Sequence, residues 1–587
     1  MNEFQPSDRE TSPRDGLREA RARLESALSS NPWSAYLLAL LALGYFQFWD
    51  ARHFTWLFDD YDFLAHIETF RNNPAQLFSA DYDGGGRLTT VLFLFVMQAL
   101  SGENQVPYHL AHLFFYILTC WVVAWSLAEL GYGRILAMTA GLLYLFTVSH
   151  YSVPYWLSCF SYITCVMFGC LGIVAYVRYT IHRTSKYLIY TCIAMLLATL
   201  SHAGAIGFVA LAGYFALRRG ASVRVIAKSI WIPLVITSGL SYLFLLTYPG
   251  HAQNVNVAEI GSLPHIAQFT VAYLGRAFTS PFWTSTTFVA GPNTLDKLIG
   301  VLLVSGGILS FVFRRSTFTD AIAMSALTLP AFGGSTLDEY RPRYFYYADL
   351  GPALLYAQAI VGTVSWLSTG RDRWVRPAAI AGSLTLILVI SHIHLKKTER
   401  MHWAVTGRNL LSMGTSSLGV QLLTRSIETV PELLPPLCYT RCALGAYQVG
   451  VNPKQILSIG VETYPDHTEI GYLYKVVSHI DAKSHVPQDL VDSVQADGAT
   501  TVGSVAAILN NAGVMHYNGR EDRAAERLYA AAILTHPTYF SAIVNYGNTL
   551  VLQGRMNDAT ITYAKAIELS PHRSGLALFG LRKIVAS

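Results

Sequence analysis

The chain has 587 residues, of which 52% are hydrophobic and only 13% carry a charged side chain. Ordinary soluble domains carry about a quarter charged residues. This composition, with a mean hydropathy of +0.34, therefore excludes a soluble globule and predicts a polytopic membrane protein. The net charge of +5 is spread over loops in small groups, which indicates membrane orientation and provides no basic run for binding nucleic acid.

The amino-terminal segment, residues 1–30, is polar and contains several arginines. It lacks the apolar run of a cleavable signal peptide. We therefore expect residues 1–30 to be a cytoplasmic segment and the apolar run at 33–49 to be the first membrane span.

Three carboxylates follow this span within a stretch of aromatic residues: Asp59, Asp60 and Asp62. By the predicted orientation they belong to an extracytoplasmic loop, residues 51–107. Acids beside a membrane span are costly, which makes them candidates for catalysis or ligand binding. The alternative is a solvated loop in which Asp59 only caps the segment that follows.

Two further elements continue the pattern: Arg87-Leu88-Thr89, and Tyr108-His109 at the start of the next long apolar run. This order resembles the first outer loop of the GT-C glycosyltransferases, most closely the protein O-mannosyltransferases that carry tetratricopeptide repeats behind their membrane domain. The family's arginine element contains a proline that is missing here. The resemblance implies a polyprenyl-phosphate sugar as donor, with Asp59 and Asp60 supplying the catalytic base.

Lysines and arginines collect in the cytoplasmic loops of membrane proteins, and their spacing predicts about eleven transmembrane helices over residues 31–395. The run at 88–100 is short against the roughly 20 residues of a span, so we expect it to lie in the interface. Residues 187–217 contain no Lys, Arg, Asp or Glu and predict two short spans that turn near His202. An odd number of spans places the carboxyl-terminal region outside the cytoplasm, with the active site, at the plasma (inner) membrane.

The carboxyl-terminal region, residues 396–587, changes composition and repeats itself with a period of 34 residues. The recurring residues are Gly513, Ala525, Tyr529, Ala532 and Pro537, which return as Gly547, Ala559, Tyr563, Ala566 and Pro571. This spacing of small residues and proline is typical of tetratricopeptide repeats, which we predict at about 504–571. Residues 445–480 are expected to add degenerate helical pairs. Cys438 and Cys442 fit either a disulfide or two free thiols.

A transferase that uses a lipid-phosphate sugar needs cations for the leaving phosphate as well as a base. Arg87 lies on the predicted outer face, and residues 340–346 resemble the family's Arg-Tyr-x-Tyr element, which implies a lipid-phosphate role for Arg343, with Arg341 beside it. The alternative is an interfacial belt of tyrosine and arginine. Asp62 and three histidines on the same face are substrate-binding candidates: His109, His150 and His202.

The outer loop at 249–294, which carries Arg276, is long enough to form a lid. A lone histidine near an interface often only packs, so the histidines have a structural alternative. Whether a divalent cation such as magnesium or manganese takes part is left open by the sequence.

The sequence thus predicts an all-α protein: a GT-C-like membrane domain followed by an extracytoplasmic tetratricopeptide solenoid. It would transfer a mannose-like sugar from a polyprenyl-phosphate carrier to a hydroxyl acceptor, with the repeats contacting an acceptor protein or glycan. One alternative is transfer to a lipid or cell-surface polysaccharide. Another is a non-catalytic membrane scaffold whose repeats recruit partners.

Overall fold

The computed structural model describes residues 31–53, 67, 71–73, 87–102, 104–247, 262–279, 281–282, 293–313, 316–332, 342–367, 375–412 and 416–586. Within these residues every regular element is an α-helix or a short 3-10 turn, which confirms the all-α prediction. The chain divides into two compact units, residues 1–396 and 397–587.

The helices that begin in the first unit are, in chain order, α1 (Pro32–Phe48), α2 (Leu88–Ser101), α3 (Gln105–Glu129), α4 (Arg134–Leu145), α5 (Phe160–His182), α6 (Ser185–Ser201), α7 (Ile206–Arg218), α8 (Val223–Ser229), α9 (Trp231–Thr247), α10 (Leu263–Thr279), α11 (Thr294–Phe313), α12 (Thr317–Ala326), α13 (Pro342–Ala348), α14 (Leu350–Leu367) and α15 (Val375–Ser412). Short 3-10 turns follow α1 at Trp49–His53, precede α5 at Leu157–Cys159 and separate α6 from α7 at Ala203–Ala205.

Helix α5 forms the core of the first unit, since 89% of its most apolar window is buried. Two glycines allow its neighbours to approach. A Cβ on Gly169 would lie 2.4 Å from the ring of Phe208 on α7, and one on Gly172 would lie 2.7 Å from Met195 on α6. Gly169 therefore has no space for a side chain if α7 is to keep this packing, whereas at Gly172 the flexible end of Met195 could move aside.

The number of membrane spans differs from the prediction. Among the described residues, three helical segments are long and apolar enough to cross a membrane: Gln105–Glu129, Leu157–His182 and Ala378–Arg400. A fourth span would combine Val223–Ser229 with Trp231–Ser241, two helical segments that are bent by 41° relative to each other. The structure therefore supports three or four spans in this part of the chain rather than eleven.

The difference arises in part because predicted spans form short helices: Arg134–Leu145, Ser185–Ser201 and Ile206–Arg218. Leu88–Ser101 is also short, in agreement with the expectation that it does not span. A helix of 12 residues such as α4 rises about 18 Å, against a hydrocarbon core of about 30 Å. The predicted turn near His202 is present, since α6 ends at Ser201 and α7 begins at Ile206.

The helices that begin in the second unit are α16 (Ser416–Thr429), α17 (Pro436–Gln448), α18 (Lys454–Thr463), α19 (Thr468–Asp481), α20 (Gln488–Asp497), α21 (Ala499–Asn518), α22 (Asp522–Thr535), α23 (Phe540–Leu552), α24 (Met556–Leu569) and α25 (Gly575–Ala586). A continuous apolar core runs through this unit from Ala404 to Ala542. Helices α18 and α19 occupy most of the region where degenerate helical pairs are predicted.

The two predicted repeats have the same internal packing. A Cβ on Gly513 would lie 2.6 Å from Cε1 of Tyr529, and a Cβ on Gly547 would lie 2.7 Å from Cε1 of Tyr563. Each glycine thus receives the tyrosine of its partner helix, in α21–α22 and again in α23–α24. The repeated contact identifies these helix pairs as tetratricopeptide-like units.

Neighbouring repeats are linked through equivalent helices. The side-chain amide of Asn545 on α23 donates a hydrogen bond of 3.0 Å to Oδ1 of Asn510 on α21. The two asparagines lie one residue off the 34-residue period, so the bond joins adjacent repeats at nearly the same level. Such nearest-neighbour contacts are how a solenoid transmits stability from one repeat to the next.

The two cysteines of the second unit are free thiols, and both are buried. Burial raises the pKa of the Cys442 thiol to about 12. Because the thiolate is the reactive form, this environment keeps Cys442 inert. The structure shows the free-thiol alternative and no disulfide between Cys438 and Cys442.

Candidate functional site

Several predicted site residues lie outside the described part of the chain. These are Asp59, Asp60, Asp62 and Arg341. Arg343 belongs to helix α13, although only its backbone is described. The structure therefore places four of the predicted residues with their side chains: Arg87, His109, His150 and His202.

His150 lies in the turn that connects α4 to α5 and has no solvent exposure. Its Nδ1 is 2.7 Å from Oδ2 of Asp349, which is equally buried. The hydroxyl of Ser149 donates to the same oxygen at 2.5 Å. A buried carboxylate is costly unless it is paired and hydrogen-bonded, so these two donors account for an acid at this position.

The other side of the imidazole faces Tyr116 on α3. The Tyr116 hydroxyl lies 3.1 Å from Nε2 of His150 and 3.0 Å from the Leu145 carbonyl oxygen. A phenol has one proton to donate. Either Tyr116 donates it to Nε2 of His150, or it donates to the Leu145 carbonyl oxygen and accepts a hydrogen bond from Nε2. Tyr116 thus links the imidazole to the backbone at the end of α4.

Helix α13 brings this cluster together. The ring of Tyr346 lies 5.0 Å from His150, 5.2 Å from Tyr144 and 6.0 Å from Tyr116. The Tyr144 hydroxyl donates to the Tyr346 carbonyl oxygen, and Asp349 follows the helix directly. Side-chain and backbone contacts thus fix α13 against α3 and α4.

The next residue on α13 points to the second histidine. The ring of Tyr347 lies 5.9 Å from His202 and 5.6 Å from Tyr162. Successive helical residues are about 100° apart around the axis, which is why Tyr346 and Tyr347 reach different neighbours. His150 and His202 therefore belong to one aromatic cluster, built around the helix that begins at Pro342 and contains Arg343.

His202 has a local structural role. Its Nδ1 accepts a hydrogen bond of 3.0 Å from the Gly204 backbone N–H, and its ring packs 4.5 Å from that of Tyr162. It caps the 3-10 turn between α6 and α7. These contacts favour turn formation over ligand binding for this residue.

His109 is fully buried on α3, one helical turn before His112. The Nε2 atom of His112 lies 2.8 Å from the Val153 carbonyl oxygen. The Tyr108 hydroxyl donates to the Gly102 carbonyl oxygen at 2.7 Å and so closes the turn between α2 and α3. Tyr108 thus organises the entry into α3, and burial argues against direct contact between His109 and a soluble substrate.

Arg87 stands at the amino-terminal boundary of α2 and is half-buried. The helix it precedes packs on α5: the hydroxyls of Thr89 and Thr164 are 3.1 Å apart, and the rings of Phe93 and Phe160 stack at 4.1 Å. The position of Arg87 is consequently set by the α2–α5 contact.

Arg276, expected in an outer loop, lies instead in helix α10 and is 3% exposed. Its Nε donates to Oδ2 of Asp296 at 3.0 Å. Because this buried partner already balances its charge, the structure does not favour a role for Arg276 in binding a substrate phosphate. Within the described ranges, no group of three or more His, Cys, Asp or Glu side chains is arranged to hold a metal ion.

Asp349 is the residue that the sequence reasoning missed. It is the only acid between residues 342 and 367, in a run that was interpreted as a membrane span. An ionisable residue inside such a run is a functional candidate by default, so the signal was present. Its partner, His150, is 199 residues away along the chain, and this pairing required the structure.

No protein-family model matches this chain, and no curated protein matches it. Among solved structures, the chain is similar to the crystal structure of the yeast Tom70, with 11% sequence identity and a TM-score of 0.19. The similarity covers 73% of this chain and 88% of the Tom70 chain. At this level it carries no conclusion about the fold or function of the present protein.

Proposed function

We propose that this chain is an integral-membrane glycosyltransferase of the GT-C type. It transfers a sugar from a polyprenyl-phosphate carrier to a hydroxyl group, most readily of a protein, on the extracytoplasmic side of the plasma membrane. In this reaction the acceptor oxygen bonds to the anomeric carbon, the carrier phosphate leaves with the electron pair of the broken bond, and a carboxylate takes the hydroxyl proton.

The observation that carries the proposal is the convergence on α13. The helix containing Arg343 packs its Tyr346 on His150 and its Tyr347 on His202, so three segments selected from the sequence meet in the first unit. The segment that leads to the carboxylates begins next to the same cluster, because Phe48 at the end of α1 lies 5.6 Å from Tyr116. A site assembled from several distant segments is what a transferase with two substrates needs.

In this proposal the residues have distinct roles. Asp59 and Asp60 are the candidate base, while Arg87, Arg341 and Arg343 face the donor phosphate, where a guanidinium forms strong charge-assisted bonds. His150 and Asp349 are positioning residues, because both are buried and act through α13. A magnesium or manganese ion at the acidic loop remains part of the hypothesis to be tested by chelation.

The second unit is proposed to orient the acceptor. Stacked helical pairs form an extended surface suited to a protein or glycan, and α21–α24 form such pairs. A variant that ends after His402 should retain hydrolysis of the donor lipid and lose transfer to the acceptor. Equal loss of both activities in a membrane unit that remains folded would contradict this division of labour.

The decisive experiment is a transfer assay with purified protein and a panel of polyprenyl-phosphate sugars. General-base assistance contributes about 10²- to 10⁴-fold in rate, so Asp59→Asn with Asp60→Asn should reduce turnover by about that factor and leave donor binding intact. Asp50→Asn is the matched control. Asp50 belongs to the same segment but already pairs with Lys396 at 3.1 Å, and its replacement should leave turnover near the wild-type rate.

A non-catalytic scaffold is the second candidate, favoured by the regular repeat packing of the second unit. It predicts that the Asp59 and Asp60 variants recruit partners as the wild type does and that no sugar is transferred from any donor. If sugar is transferred, analysis of the product separates a protein acceptor from a lipid or a cell-surface polysaccharide.

A further inference from the structure

A cavity of about 580 Å³ lies in the first unit, away from α13. Its walls are the turn between α3 and α4, the end of α7 and the start of α12. The residues that decide its chemistry are Gly131, Tyr132, Arg218, Arg219 and Asp320. We call it the arginine cavity.

Asp320 fixes one wall of the arginine cavity. Its side chain is 1% exposed and accepts hydrogen bonds from the Tyr132 hydroxyl at 2.5 Å, the Tyr214 hydroxyl at 2.7 Å and Nε of Arg218 at 3.1 Å. Three donors from two segments, the turn between α3 and α4 and helix α7, hold this carboxylate. The guanidinium of Arg218 is consequently oriented before any ligand binds.

Arg219, an exposed side chain, lies on the opposite side over a glycine. A Cβ on Gly131 would lie 2.2 Å from Nη2 of Arg219, and the same nitrogen donates to the Glu129 carbonyl oxygen at 3.4 Å. Gly131 also has a φ of +88°, in the left-handed region that favours glycine. Glycine therefore suits the turn, and a Cβ at this position would displace the Arg219 guanidinium.

The described residues that line the cavity carry an excess of positive charge. Among them are two arginines and one carboxylate, a difference of one positive charge within this part of the chain. The acidic side chain at the end of α3, that of Glu129, forms an ion pair with Arg178, with 2.6 Å between Oε2 and Nη2. Two neighbouring guanidiniums, that of Arg218 oriented by Asp320 and that of Arg219 exposed, are suited to a phosphate group, whose oxygens accept from planar forks of N–H donors.

We propose that the arginine cavity binds a phosphate group. Basic pockets between membrane helices on the cytoplasmic side typically hold lipid headgroups, and the basic loops here are predicted to be cytoplasmic. Ile135, at the start of α4, is 54% exposed, which provides an apolar surface beside the cavity for an acyl chain. The headgroup of an anionic lipid is thus the favoured source, and free phosphate is the other. The inference does not depend on the proposed glycosyltransferase activity.

The test uses the full chain, purified in a neutral detergent and titrated with phosphatidic acid, with uncharged diacylglycerol and with inorganic phosphate. Binding is measured by native mass spectrometry at fixed salt. Arg219→Gln removes one guanidinium, and Gly131→Ala displaces it. Either should weaken phosphatidic acid binding about five- to tenfold, since one arginine near a lipid headgroup contributes roughly that factor. Arg218 is left intact because its replacement would leave the buried Asp320 carboxylate without its cationic partner.

The matched control is Arg224→Gln, on α8, which removes an exposed arginine outside the cavity. It should leave binding unchanged, and all variants must keep the wild-type melting temperature without lipid within a few degrees. Binding of phosphatidic acid alone identifies a lipid ligand, and additional binding of inorganic phosphate identifies a site for the phosphate group itself. No saturable binding of either, or equal weakening by Arg224→Gln and Arg219→Gln, would overturn the proposal.

Discussion

The contact between a glycine and a tyrosine in each repeat makes a quantitative prediction about the second unit. Replacing Gly513 with alanine places a Cβ 2.6 Å from Cε1 of Tyr529, well inside ordinary van der Waals contact. Tyr529 is about 1% exposed, so it has no room to move. Overpacking of this kind typically costs about 1 to 3 kcal/mol.

The same helix provides the control. Gly503 also lies in α21, and a Cβ there would meet nothing within 4 Å. Alanine in place of glycine inside a helix stabilises it by about 0.5 to 1 kcal/mol. Gly503→Ala should therefore be neutral or stabilising, and Gly513→Ala should be less stable than it by about 1 to 3 kcal/mol, the cost of the overlap.

Hydrogen–deuterium exchange of the full-length protein measures this difference locally. Backbone amides of α21 and α22 should exchange about 5- to 150-fold faster in Gly513→Ala than in Gly503→Ala, the factor that corresponds to 1 to 3 kcal/mol. Gly547→Ala should show the same effect in α23 and α24, because its Cβ would lie 2.7 Å from Tyr563. Equal exchange in the Gly503 and Gly513 variants would refute the close packing on which the repeat assignment rests.

Three further predictions concern the buried pair, the membrane orientation and the free thiols. Asp349→Leu leaves the imidazole of His150 and the hydroxyl of Ser149 without their acceptor and should lower stability by about 1 to 3 kcal/mol, seen as a lower melting temperature that replacing His150 as well partly restores. A cysteine introduced at the exposed position Ser484 should react with an impermeant reagent in intact cells, whereas one at the exposed position Ser222 should react only after lysis. The reverse pattern would invert the predicted topology. Because burial raises the pKa of Cys442 to about 12, its thiol is mostly protonated below that pH. Alkylation of Cys442 in the native protein should therefore be very slow at pH 8 and accelerate as pH rises, and rapid alkylation at pH 8 would contradict its burial.

The repeats could be predicted from the sequence because their packing is local. Each glycine contacts a tyrosine only 16 residues away, and the same pair returns 34 residues later. The helix bounds follow from short-range hydrogen bonds and from turns at positions such as Gly554, which has a φ of +75°. Short-range chemistry of this kind can be read from one chain.

The membrane unit was harder to predict because hydropathy reports apolar character and not helix length. At His202 the expected turn is present, since the imidazole accepts from the Gly204 N–H, but the helices on either side have only 17 and 13 residues and fall short of the two spans predicted there. Asp349 likewise separates α13 from α14. Polar groups that bond to the backbone or to distant partners end helices within apolar runs, which is why fewer spans are found than were predicted.

The enzyme and scaffold hypotheses finally make different predictions about stability as well as activity. Two adjacent acids such as Asp59 and Asp60 repel each other, and this repulsion is an energetic cost that a scaffold has no reason to retain. Neutralising one of them relieves the repulsion, so Asp59→Asn should keep or raise the melting temperature. If turnover then falls while stability does not, the acids serve chemistry, since a merely structural cap would lose about 0.5 to 2 kcal/mol when removed. A lower melting temperature with unchanged transfer per folded molecule would instead show that the acidic pair only supports the loop.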